Sequence, residues 1–124
     1  QWEKAARGRD SRYHVWGNYF IPSYCWGHDA RRPDDPLNLR PVGYVPSDES
    51  VYDVRDMAGS ATELTLGLTD DVGRYGAWRG GSWRTATQYF FRIANRNGRQ
   101  PWDSWHDTGL RLVAEPVSPT KLEQ

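Results

Sequence analysis

A single cysteine, Cys25, excludes an internal disulfide framework, though it does not settle the compartment. No run of about 18 apolar residues occurs, so no transmembrane helix is expected. No signal-peptide pattern opens the chain, and the cytoplasm is favoured. Net charge is missing too: 16 basic residues balance 16 acidic ones. A dedicated nucleic-acid binder shows a basic excess, so neither nucleic acid nor an electrostatically docked membrane is an expected partner. Aliphatic side chains are scarce, and mean hydropathy is −0.86. What is abundant is aromatic: 7 Trp, 7 Tyr and 3 Phe in 124 residues. That length fits one small domain, which buries only about two thirds of its unfolded surface. Such a core is built from rings, with Arg stems stacked around them.

Gln1 to Gly8 reads as the end of a helix closed by glycine. Asp10 to Asn18 reads as a turn followed by an aromatic extended segment. Ile21 to Tyr44 carries Pro22, Pro33, Pro36 and Pro41, which excludes a long helix or a central strand there. Val51 to Val54 suggests a short strand. Aromatic and β-branched content favours strands at Gly76 to Trp83, Tyr89 to Ala94 and Leu110 to Ala114. The domain is expected over 1–115, with a polar tail at 116–124. Most of the chain is therefore loop, held between a few short strands.

Gly80-Gly81 beside Trp83 is costly in backbone entropy. The pair suggests positive φ, or a backbone pressed against an aromatic neighbour. Around it stand Trp2-Glu3-Lys4-Ala5-Ala6-Arg7-Gly8, Trp16-Gly17-Asn18, Pro41-Val42-Gly43, Val54-Arg55-Asp56-Met57-Ala58-Gly59, Arg79-Gly80-Gly81-Ser82-Trp83 and Gly109-Leu110-Arg111. In that order and spacing they resemble the formylglycine-generating enzyme, or sulfatase-modifying factor, superfamily. The resemblance implies an α+β, loop-rich, C-type-lectin-like fold. It covers the C-terminal half or so of such a domain, so an N-terminal half of the same domain is an implied partner.

The family's best-known enzyme oxidises a sulfatase cysteine through two copper-binding cysteines shortly after the Gly-Gly-Ser motif. Here no cysteine lies between Trp78 and Gln124, and Thr85 and Phe90 stand at the direct-count positions. Copper selects soft thiolates, so no copper is expected. A second branch uses iron held by histidines, but His14, His28 and His106 form no metal-ligand spacing. A third branch lacks redox ligands. It includes domains fused to bacterial kinases and caspase-like proteases, and the variable proteins of diversity-generating retroelements. In those variable proteins, ligand-binding positions are diversified from Asn codons, which cannot yield Gln or Trp. Gln88, Gln100, Trp102 and Trp105 are thus not products of that mechanism.

Calcium is the cofactor that the resemblance allows. Glu63 and Ser60 stand where the family places a Gly-Asn-x-x-Glu, and Asp34 is the candidate ligand in the Pro-rich loop. Ser60 replaces a stronger amide oxygen, and Cys25 stands at an Asn-like ligand position that hard calcium does not favour. A calcium site is weighed against a solvated acidic loop. Cys25 itself is expected as a buried, inert thiol rather than a nucleophile.

The segment from Arg84 to Asp107 is the candidate binding face for a protein or a small ligand, being rich in Arg and aromatics. About half of its rings are expected in the core. Trp83, Phe91 and Ile93 read as internal by alternation. Arg84, Tyr89, Arg99, Trp102, Trp105 and His106 read as the ligand-binding set, and Arg92, Arg96 and Arg111 as anchors for carboxylates such as Glu63 or Asp56. The expected function is a non-catalytic binding or regulatory module of a larger bacterial signalling, protease-linked or retroelement-linked protein. The alternative is a metal-dependent oxidoreductase whose ligands lie in the N-terminal half.

Overall fold

The computed structural model describes residues 1–36, 38–68, 75–100 and 102–115; the tail expected at 116–124 lies outside them. A short helix, α1 (Trp2–Arg7), opens the chain and ends at Gly8, whose N–H donates to Lys4 O. The strands β1 (Thr62–Leu68), β2 (Gly76–Arg79), β3 (Asn97–Arg99) and β4 (Thr108–Leu110) form one sheet in the order β3-β2-β1-β4. β1 runs antiparallel to β2 with Leu64 opposite Trp78, and parallel to β4 with Thr62 opposite Thr108. β2 pairs antiparallel with β3, Trp78 facing Asn97. The rest is loop with single 3-10 turns, so the molecule is α+β and loop-rich.

Several expected elements take other forms. Tyr89 to Ala94 is not a strand: Gln88–Phe91 is a 3-10 turn, and Ile93 is tied by its N–H to Tyr13 O alone. The alternation there is nonetheless one of burial, with Phe91, Ile93 and Asn95 inside and Arg92 and Ala94 outside. Val51 to Val54 is a turn, because the Ser50 hydroxyl accepts from Tyr52 and Val54 N–H while Glu49 and Arg55 bridge across it. Asp10 to Asn18 carries no extended segment. It folds into a tight turn, closed by reciprocal bonds between His14 and Gly17. β4 lies earlier than expected, because Arg111 leaves the sheet to reach Glu63. β2 stops at Arg79 because Gly80 (φ 91°) and Gly81 (φ 70°) turn the chain. A Cβ on Gly81 would meet the Phe91 ring at 2.9 Å, and one on Gly80 would meet Met57 O at 3.0 Å. Both reasons for the glycine pair apply.

Ala6, Val15, Cys25, Met57, Ala58, Phe91 and Ile93 form the core, with Trp2, Trp16 and Phe20 packed around it. Phe20 stacks on Phe91 at 5.5 Å. Burying Phe91 and Ile93 stabilises the fold by roughly 1.5–3 kcal/mol each. The sheet joins this core through Glu63, which accepts from Trp2 Nε1 (2.6 Å), Arg111 Nε (3.1 Å) and Arg111 Nη2 (2.8 Å). Arg111 also donates to the carbonyls of Arg55 and Asp56. Arg92 and Arg96, expected inside beside carboxylates, are exposed. The Arg92 guanidinium lies over the rings of Tyr13 and Tyr89. Glu63→Ala leaves the indole N–H and the guanidinium without their acceptor. It should lower unfolding free energy by roughly 2–4 kcal/mol, read by urea denaturation.

Asp48 holds a second junction. It is 1% exposed and accepts from Met57 N–H at 3.1 Å and from Ala58 N–H at 3.0 Å. Burial pushes its carboxyl up from 3.8 to about 8, and Asp56 adds to the rise; the two N–H groups and Arg111 pull it down by less. A carboxyl raised in the folded state holds its proton more tightly there than in the unfolded chain. Its contribution to stability is therefore full below pH 3.8 and falls as pH rises towards about 8. Urea unfolding across that window should show the decline, and Asp48→Asn should flatten it.

Candidate ligand-binding site

Beyond Gly81 the chain folds into a tight side-chain turn. Ser82 N–H donates to Thr85 Oγ1 (2.9 Å), and Thr85 N–H returns to Ser82 O (3.0 Å). The Ser82 hydroxyl donates to Asp107 Oδ2 at 2.6 Å, and Asp107 O accepts from Thr62 N–H at 2.8 Å. This ties the post-glycine turn to the start of β1 and to the approach to β4. Trp83 N–H donates to Ser60 O, adding a further tie.

Over this base lies a pocket of about 260 Å³. Sheet register puts Thr62, Trp78 and Asn97 on one face, and all three line it. Thr85, Phe90 and Asn95 form further wall, and Arg84 and Arg99 supply its charge. Among the described residues no acid lines it. Asp107 stands behind it, 4.0 Å from Arg84 Nη1. Buried Trp78 Nε1 and Asp107 Oδ1 have no hydrogen-bond partner among the described residues. A wider depression of about 360 Å³ beside Trp26 and Tyr44 mixes Arg32 with Asp35 and contains none of the candidate residues.

Of the six residues expected to bind, Arg84 and Arg99 line the pocket. Tyr89 (53% exposed), Trp102 (76%) and Trp105 (54%) stand on open surface outside its lining, as does exposed His106. Sequence reasoning missed Trp78, Asn95 and Asn97 as lining. A signal for the pocket was present: Thr85 and Phe90, the direct-count positions of the copper cysteines, both line it.

The residues proposed for calcium do not fit it. Both Glu63 oxygens accept from Arg111 or Trp2, so a cation there would face a guanidinium. Ser60 is bound through its backbone to Trp26 and Trp83, while Asp34 is exposed in the Pro-rich loop. Among the described residues no group of three or more His, Cys, Asp or Glu could hold a metal ion. His14 is buried and stacked on Trp16 at 5.2 Å, and burial pushes its pKa down. Cys25 is buried as well, and burial pushes its thiol far up, which removes the reactive thiolate. Ser82→Ala strands a buried Asp107 carboxylate oxygen. The variant should lose roughly 1–3 kcal/mol of stability by urea unfolding.

Comparison with curated protein sequences gives no match. Among solved structures the chain is similar to Treponema denticola variable protein 1, with a TM-score of 0.72 at 20% identity. That likeness covers 88% of this chain and 43% of the other, so this chain spans less than half of that protein's length. It shows the fold: a loop-rich architecture of the formylglycine-generating-enzyme type. Residues 1–116 match the profile of the Sulfatase-modifying factor enzyme 1-like domain, and the chain belongs to that family.

Proposed function

We propose that this chain is a non-catalytic recognition module, part of a larger bacterial signalling, protease-linked or retroelement-linked protein. The observation that carries this reading is the content of the pocket. Where the enzyme's pattern has two copper thiolates, Thr85 and Phe90 line it, beside Arg84, Asn95, Asn97 and Arg99. Donors, amides and one ring suit binding, but they supply no redox ligand. The likeness to a variable protein supports a binding role. Trp102 and Trp105, both more than half exposed, extend the surface with large aromatics that dominate interface energetics. Trp102 and Trp105 sit on loops beside the sheet, as in other loop-borne recognition sites.

The oxidoreductase alternative places every metal ligand in the other half of the domain, since Cys25 is the chain's one cysteine and is buried. Stoichiometric iron or copper in the intact parent protein would favour it. The recognition reading is tested by replacing Trp102 and Trp105 together with Ala. Immobilised wild-type protein and the double variant are compared for proteins retained from an extract of the source cells. Loss of at least about 2 kcal/mol of binding with Tm nearly unchanged is expected. Identical retention by both proteins contradicts the reading.

A further inference from the structure

We propose that the pocket over Trp78 and Phe90 takes a small carboxylate, a peptide C-terminus or a free amino acid, held by Arg84 and Arg99. The inference rests on the recognition reading and names the chemistry of its ligand. The chain as a whole is neutral, yet among the described residues the pocket lining carries two guanidiniums and no acid. The backbone of Arg99 pairs with Gly76 in the sheet, but its guanidinium has no ion-pair or hydrogen-bond partner among the described residues. Arg84 faces Asp107 Oδ1 at 4.0 Å, an ion pair beyond hydrogen-bond range, and lies over the Trp83 ring. Two guanidiniums in one concavity, only one of them facing a described carboxylate and that at 4.0 Å, cost repulsion that a bound anion would relieve. Their planar forks match a carboxylate through paired N–H donors.

The rest of the lining fits the remainder of such a ligand. Asn95 is buried to 7% exposure and Asn97 is half-buried, so their amides suit a peptide group better than a second charge. Trp78 and Phe90 add aromatic wall for the apolar part of the ligand. A volume of about 260 Å³ admits one or two residues, not a folded partner. The C-terminal end of a partner bound across the exposed tryptophans, or a free amino acid, would both satisfy it.

The test titrates the chain with N-acetyl-glycyl-alanine, with its C-terminal amide, and with inorganic phosphate. Arg Nε–H and Trp Nε1–H signals are followed by NMR. The free acid should bind and shift the Trp78 signal, while the amide should bind at least about tenfold more weakly. Arg84→Ala and Arg99→Ala should each weaken the acid by about tenfold, and Lys at either position should restore part of it. Tm should hardly move, because neither guanidinium makes a described hydrogen bond. Equal binding of acid and amide, phosphate binding as tight as the acid, or no binding of the acid overturns the proposal. Free alanine binding as tightly as the peptide assigns the pocket to amino acids rather than C-termini. The two levels of the argument fail separately. If the acid does not bind but Trp102→Ala/Trp105→Ala loses its protein partner, only the carboxylate inference falls. If neither that variant nor Arg84→Ala/Arg99→Ala loses any partner, the recognition reading falls too.

Discussion

Glu63 accepts hydrogen bonds from Trp2, near the start of the chain, and from Arg111, near the end of the described residues. A chain with so little ladder cannot order its loops by backbone pairing alone. Each buried N–H and C=O in a loop still needs a partner. Arg111 meets part of that need by capping the Arg55 and Asp56 carbonyls while it holds Glu63. Asp48 meets another part by accepting from Met57 and Ala58. The loop from 48 to 58 is thus fixed from both sides by carboxylate and guanidinium. Apolar packing of Met57 and Ala58 then fills the centre.

The same economy positions the pocket. Gly80 and Gly81 let the backbone turn against Met57 and the Phe91 ring. That turn delivers Ser82 to Asp107 and Thr85 to the pocket wall. One wall residue also belongs to the base: Thr85 lines the pocket, and its hydroxyl accepts from Ser82 N–H.

Much of this was legible in local sequence. Gly80-Gly81 announced a backbone pressed against a ring, and the alternation through Phe91 and Ile93 announced which side chains go inside. What was not legible depends on distant partners. β3 is Asn-Gly-Arg, a poor strand by composition, and exists because β2 pairs with it. β1 puts Leu66 fully in solvent and a glutamate inside, against the usual pattern. Arg111 holds Glu63 as its sequence suggested, but the second donor, Trp2, lies 61 residues away along the chain, which left Glu63 open to a reading as a cation ligand. Tyr89 to Ala94 has strand composition but no neighbouring strand to pair with, so burial alternates without a ladder.

The claim that one carboxylate and one guanidinium hold the loops in place is tested most directly by a double-mutant cycle. Unfolding free energies in urea are measured for the wild type, Glu63→Ala, Arg111→Ala and the pair. The account predicts that the double variant loses less than the sum of the singles by about 1–3 kcal/mol. Losses that add within about 0.5 kcal/mol would mean the two residues act independently, and would contradict it.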